Sequence, residues 1–344
     1  MKTIAITTLV QLLSTSFLIA QLDQLYCTID LPTDTIMIGQ PLPVKYYVRN
    51  QGKRPIDVYY DPIGTYWNDI GRDETFEVDC FDEQGNLLEH RVAIESQIVS
   101  YSKYVGLQEI GSTDSLEYVL WLEDWVAINS PGTYRFEIRK KAVIDKIIRG
   151  PGKVLNCSQS IVVIPFDSLR LEQHLADLWS TITTTGIASR YEQEALVRNP
   201  SERAIPYLRM LVENSGQYQR IVNGIKGLSK YTSNTVAFQA IAKIFDPKND
   251  QPLVPARTPI LEESLMQNIR GFAFRAMSQF QDSLSLPLVL NLEEHPDSKV
   301  RMRVIQHLYH RDQEIAKPVI ERRLNDESED VRKEARWMFK RLQE

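Results

Sequence analysis

At 344 residues the chain is longer than one hydrophobic core usually serves, so it is expected to hold two domains. Its 43% apolar and 25% charged content excludes disorder as the default. A net charge of −5 leaves no footprint for a general nucleic-acid binder, which needs a basic face.

The first twenty positions, Met1 to Ala20, run from a lysine through an uncharged, largely apolar stretch to a small residue before Gln21. That order predicts a secretory signal peptide over 1–20. Gln11, Ser14, Thr15 and Ser16 interrupt the apolar run and Gln21 and Asp23 follow it, which favours removal over retention as an anchor. Leu25 and Tyr26 stand before Cys27 where a lipid-anchored protein needs small residues, and no later segment is apolar enough to span a membrane. Export, periplasmic or fully secreted, places Cys27, Cys80 and Cys157 in an oxidising compartment, with one bridge and one thiol left over. Cys80 shares its parity with Phe76 and Val78, so it is expected to be a buried small hydrophobe. A bridge, if formed, is expected between Cys27 and Cys157, tying the first strand to the last. No close C-x-x-C pair is present to hold a metal.

From 25 to 165 the apolar residues alternate with period two. Leu42, Val44, Tyr46 and Val48 share one face, and Tyr134, Phe136 and Ile138 another. Turn signals at Asn50-Gln51-Gly52, Glu83-Gln84-Gly85-Asn86 and Pro131-Gly132 separate about seven short strands, which predicts an antiparallel β-sandwich over 21–165. The run Ile38 to Val44, then Tyr47 to Asn50 and Pro55 to Val58, resembles the opening of immunoglobulin-like domains of secreted bacterial proteins and of macroglobulin-like modules. Asp124-Trp125 with Pro131 to Tyr134 resembles their late hairpin. The resemblance implies a fold and names no ligand. Two features stand outside a minimal sandwich. Tyr66 and Trp67 in the loop Asp61 to Thr75, with Tyr101 and Tyr104 in the irregular stretch Ile98 to Gly111, either fold back over a sandwich end or bind glycan or a cell surface. Arg139, Lys140, Lys141, Lys146, Arg149 and Lys153 crowd one segment opposed only by Asp145, as expected of a solvated, charged hairpin.

After Ile164-Pro165 the period changes. Leu169, Leu171, Leu175, Leu178 and Ile182 recur at helical spacing behind a cap at Asp167 or Ser168, so an all-helical domain is predicted over 166–344. Further helices are expected at Tyr191 to Val197, Ala204 to Glu213, Gln219 to Tyr231, Thr235 to Phe245 and Leu261 to Phe280. The last sixty residues hold one unit twice. Sliding Leu286–His310 over Lys317–Arg341 by 31 positions superposes Pro287 on Pro318, His295 on Asp326, Val300 on Val331, Arg301 on Arg332, Val304 on Ala335 and Leu308 on Phe339. A fixed period of that size means stacked helix pairs. Val300, Val304 and Leu308 form one apolar stripe, and Val331, Ala335 and Leu342 its counterpart. The unit, with its proline, acidic turn and Val-Arg pair, resembles the HEAT family, and a weaker copy lies at Ala204 to Lys230 around Pro206 and Arg220. The resemblance implies an α-α solenoid of about four pairs, with Arg301 and Arg332 reaching an acidic turn of a neighbouring repeat. Pro287 and Pro318 are expected early in their helices or at a bend.

Opposite the stripe, the second helices carry Met302, Gln306 and Tyr309, and 31 residues on Lys333, Trp337 and Lys340. These six are the candidate partner-binding residues, expected as adjacent ridges on the solenoid's curved face, although Trp337 equally suits a ring leaning on its neighbour. No G-x-S-x-G elbow, phosphate loop or H-E-x-x-H helix is present. His307 and His310, with His295, have metal-ligand spacing, but His307 matches Met338, a core position of the next repeat. The expectation is therefore a non-enzymatic interaction scaffold of the bacterial envelope or extracellular space. It would use no cofactor and bind another protein or possibly glycan, but no nucleic acid.

Overall fold

A computed structural model of the chain describes residues 22–60, 76–90, 106–143, 152–185, 189–246, 253–256 and 258–343. The chain divides into two compact units, Met1–Asp167 and Ser168–Glu344. The first twenty residues, and Tyr66, Trp67, Tyr101 and Tyr104, lie outside the described residues.

The first unit is built of strands β1 (Leu25–Asp30), β2 (Thr35–Met37), β3 (Pro43–Asn50), β4 (Ile56–Tyr60), β5 (Glu77–Phe81), β6 (Gly106–Ile110), β7 (Ser115–Trp121), β8 (Gly132–Val143) and β9 (Gly152–Ile164). They form a three-stranded sheet β1-β3-β7, a four-stranded sheet β2-β9-β8-β5 and a two-stranded pair β4-β6. Period-two patterning sets the orientation: along β3 every second residue is buried, so Val44, Tyr46 and Val48 enter the core. Phe136, Ile138 and Ile161 of the four-stranded sheet belong to the same core. Phe76 links the rings of Tyr46 and Tyr118, edge-on at 5.3 and 5.2 Å. The pairing is antiparallel throughout except that β2 runs parallel to β9, Thr35 beside Val162. This departs from the all-antiparallel expectation. After β1 the chain leaves one sheet and joins the edge of the other, a crossing that side-chain alternation does not encode.

Cys27 on β1 and Cys157 on β9 are joined in a disulfide with Cα atoms 6.0 Å apart, linking the three- and four-stranded sheets across 130 residues of sequence. Cys80 is fully buried and unbridged, and burial pushes its thiol up to about 11, so it is inert at neutral pH.

The basic segment differs from the expected solvated hairpin. Lys140 is only 3% exposed and holds its ammonium over the rings of Phe76 and Tyr118, 4.5 and 4.7 Å from their centroids. Arg139 bonds Glu77 and Asp79 of β5, at 2.9 and 2.6 Å. Its opposing acids thus come from the neighbouring strand, a pairing invisible to a window along β8. Lys153 donates to the carbonyls of Leu25 and Asp23. Lys146 and Arg149 lie outside the described residues, as do the side-chain surroundings of Lys141.

The second unit contains α1 (Ser168–Thr185), α2 (Arg190–Arg198), α3 (Ile205–Asn214), α4 (Tyr218–Leu228), α5 (Thr235–Ala242), α6 (Pro259–Met277), α7 (Asp282–Asn291), α8 (Ser298–Arg311), α9 (Gln313–Arg323) and α10 (Glu329–Gln343). Side chains of Asn234, Thr258, Asp297 and Asp312 accept from the first-turn N–H groups of α5, α6, α8 and α9. On α1, Leu171, Leu175 and Ile182 are buried and Leu178 half-buried, but Leu169 in the first turn is 75% exposed, contrary to its expected place in the stripe. Pro206 sits in the first turn of α3, whereas Pro287 and Pro318 lie inside α7 and α9, so the early-position reading fails for both. On α10 the stripe is Val331, Ala335 and Met338, with Leu342 half-buried in the last turn. Helices α3 and α4 approach closely because α4 carries glycine at the contact: a Cβ on Gly224 would stand 2.8 Å from the Leu208 carbonyl oxygen.

The repeats are locked by buried ion pairs. Arg301 of α8 is 4% exposed and makes a two-pronged contact with Asp326, which caps the next repeat's turn: Nε to Oδ2 2.9 Å and Nη2 to Oδ1 2.8 Å. Its Nη1 donates to the carbonyls of His295 and Pro296, just as Arg332 donates to those of Asp326 and Glu327, 31 residues later. Asp326 also accepts from Arg323, which joins Glu293, itself held by Arg322. Upstream, Arg270 of α6 reaches Asp297 at 2.6 Å. In the weaker copy, Arg220 donates instead to the Ile182 carbonyl of α1.

Removing Arg301 leaves the buried Asp326 carboxylate with Arg323 as its remaining cation, so Arg301→Ala is expected to cost about 3 kcal/mol of the helical unit's stability, the low end for breaking a buried pair. Arg301→Lys recovers only part, because an ammonium cannot make two parallel bonds to one carboxylate. Chemical denaturation followed by circular dichroism checks both. Burial works to raise the Asp326 carboxyl, but the hydrogen bond from Arg301, with those from Ser328 N–H and Arg323, holds it down from 3.8 to about 2. A depressed carboxyl lends stability that is complete above the unfolded pKa and disappears as pH falls through the folded one. The helical unit's melting temperature is therefore expected to drop across that acid window, and to drop less steeply in Asp326→Asn.

Candidate functional site

The 31-residue period sets three second helices, α6, α8 and α10, in register. It generates three rows across them: Gly271, Met302 and Lys333; Arg275, Gln306 and Trp337; Ser278, Tyr309 and Lys340. Each helix turns its apolar stripe inward, Val300, Val304 and Leu308 on α8 being fully buried, so these rows fall on the side away from it. The α6 ridge was missed in the sequence because its first member, Gly271, has no side chain to match. The signal that finds it is Arg270, which stands 31 residues before Arg301 and likewise holds a turn carboxylate of the next repeat.

Of the six expected residues, Gln306 and Tyr309 link the α8 ridge to α10. Gln306 reaches α10 by donating to Glu334 at 2.8 Å, and Tyr309 lies against Trp337 with ring centroids 6.1 Å apart at 53°. Trp337 stays 51% exposed, with the Arg341 guanidinium 5.8 Å from its ring centroid. Tyr309 also meets His310 edge-on at 5.3 Å. Met302, Gln306 and Tyr309 are half-buried, and Lys333 and Lys340 are exposed. Lys333 pairs with Glu329 on its own helix at 2.8 Å. The arrangement offers a half-exposed indole propped by a second ring and flanked by cations, a chemistry suited to large-area contact.

The histidines do not converge. His295 is buried and its Nδ1 accepts from the Asp297 N–H. His307 packs edge-on against Phe274 at 5.5 Å and lies 3.2 Å from Arg311, and burial pushes its pKa down. Among the described residues no three metal-ligating side chains cluster, and no helix is long and apolar enough to cross a membrane. An open groove between α1 and α3 is lined by Leu169, Ala176, Pro206, Tyr207 and Met210 and rimmed by the Arg203–Glu172 ion pair.

No curated protein matches the chain. Among solved structures, it is similar to the CARDB domain of a Pyrococcus furiosus protein in complex with di-metal ions, at 13% identity and a TM-score of 0.21, covering 42% of this chain and 94% of that one. It is also similar to native alpha-2-macroglobulin of Escherichia coli from domain MG7 to the C-terminus, at 7% identity and a TM-score of 0.24, covering 86% of this chain and 55% of that one. Methylamine-reacted Salmonella alpha-2-macroglobulin gives 9% identity and a TM-score of 0.23, with the match covering 90% of this chain and 23% of that one. Residues 254–340, from before α6 to within the last turn of α10, match the family model for HEAT repeats.

Proposed function

We propose that this chain is an exported, non-enzymatic interaction protein whose helical repeats dock a protein partner on the ridges of α8 and α10. HEAT repeats generally serve as protein-binding scaffolds, and residues 254–340 match them. The observation that carries the site is the Tyr309–Trp337 pair, which leaves half of a large indole in solvent at the junction of two repeats whose cores are otherwise closed. A ring held by a neighbour loses little conformational freedom on binding, so most of its burial appears as affinity. The first unit is read as an immunoglobulin-like sandwich, supported by its three- and four-stranded sheets over one core and by the disulfide between them. Export is read from the signal-like stretch at residues 1–20, and the disulfide suits an oxidising compartment.

The direct test is affinity capture from a bacterial envelope fraction by the mature protein and by its Tyr309→Ala, Trp337→Ala double variant. A protein partner is expected with the wild type, bound about 10- to 100-fold more weakly by the variant at unchanged circular dichroism. Equal recovery by both moves the site off this face. N-terminal sequencing of the exported chain is expected to begin at or near Gln21, and a start at Met1 removes the cleaved-signal reading.

A further inference from the structure

Arg303 follows Met302 on α8, and its guanidinium rests on the backbone of α6. A Cβ built at Gly271 would stand 2.9 Å from its Nη2 and 3.2 Å from its Cζ, so the absence of a side chain there makes the seat. The other repeat arginines nearby have carboxylate partners: Arg270 has Asp297, Arg301 has Asp326, and Arg322 and Arg323 have Glu293. Arg303 is half-buried and, among the described residues, makes no ion pair or hydrogen bond. Asp297 attracts it, but that carboxylate is already engaged by Gln267 and Arg270. Burial, and then the charge of Arg275, push the Arg303 pKa down. Arg275 is exposed, stacks on Phe272 at 4.7 Å and has no carboxylate of its own among the described residues. Two guanidinium groups thus stand near one another at the α6 edge of the docking face, one of them partly desolvated and without an anion. Partial burial makes such a group costly alone and strengthens its bond to an incoming carboxylate.

We propose that Arg303 and Arg275 form a seat for one carboxylate, an aspartate or glutamate side chain of the protein partner, on the α6 side of the ridge that carries Tyr309. This deepens the docking reading and rests on it. Mixed charge selects a protein over a uniformly charged polymer. Glu334 occupies on α10 the position of Arg303 on α8, and Lys333 is offset by Glu329. A nucleic acid or sulfated glycan laid across both ridges would meet Glu334 with like charge.

The test uses the full mature chain and a fluorescein-labelled amphipathic peptide of alternating glutamates and leucines, with its lysine-for-glutamate counterpart, followed by fluorescence anisotropy. The glutamate peptide is expected to bind saturably and the lysine peptide at least ten-fold more weakly. Arg303→Met, which keeps an unbranched stem over Gly271, and Arg275→Ala are each expected to weaken the glutamate peptide about ten-fold. Because Arg303→Met removes an unpaired charge, its melting temperature is expected to stay or rise. No binding of the glutamate peptide, equal binding by Arg303→Met, or a lowered melting temperature with binding intact overturns the proposal. So does displacement of the peptide by stoichiometric inorganic phosphate, which marks a general oxyanion site. A partner captured through Tyr309 and Trp337 but indifferent to Arg303→Met leaves the docking face in place and removes only the carboxylate seat.

Discussion

The helical unit depends on one kind of contact: an arginine on a second helix that leaves its own repeat and grips a carboxylate in the turn of the next. At Arg301 and Asp326 both partners are out of water, so parting them leaves each charge poorly compensated in the stack. Such a pair adds little net stability compared with apolar packing. It does penalise any other register between repeats, since a slip leaves two buried charges apart. The rows of Met302 with Lys333, Gln306 with Trp337 and Tyr309 with Lys340 inherit their alignment from that constraint. The Tyr309–Trp337 contact is its visible outcome on the surface.

The first unit solves a different problem by different means. Its two larger sheets share a core in which Lys140, at 3% exposure, supplies a charge to the faces of Phe76 and Tyr118. The disulfide between Cys27 and Cys157 ties the first strand to the last. Cross-linking strands far apart in sequence restricts the unfolded chain, which suits a domain made almost wholly of non-local contacts.

Much of this was legible in the residues, for physical reasons that can be named. Period two in β3 and period 3.6 in α8 are dictated by which face meets the core, so strand and helix placement followed from apolar spacing. The repeat announced its period through Pro287 and Pro318, Val300 and Val331, Arg301 and Arg332. What stayed hidden was whatever one element receives from another. The parallel partnership of β2 with β9, the acids that Glu77 and Asp79 bring to Arg139, and the rings that close over Lys140 all arise between strands distant in sequence. Leu169 followed the helical period and still lies in solvent, because periodicity shows a face and not what covers it. On the candidate surface, Trp337 and Tyr309 were readable as aromatics at repeat spacing. The third ridge was silent because it rests on Gly271, where the informative feature is a missing side chain.

The central claim is that the ridges of α8 and α10, and not the first helices of the repeats, meet the partner. Site-specific photo-crosslinking in the native compartment tests it most directly, with a photoreactive phenylalanine analogue placed at Trp337 and, separately, at exposed Glu321 on α9. The account predicts a discrete protein adduct from position 337 and none from position 321. An adduct from position 321 with none from position 337 would contradict it.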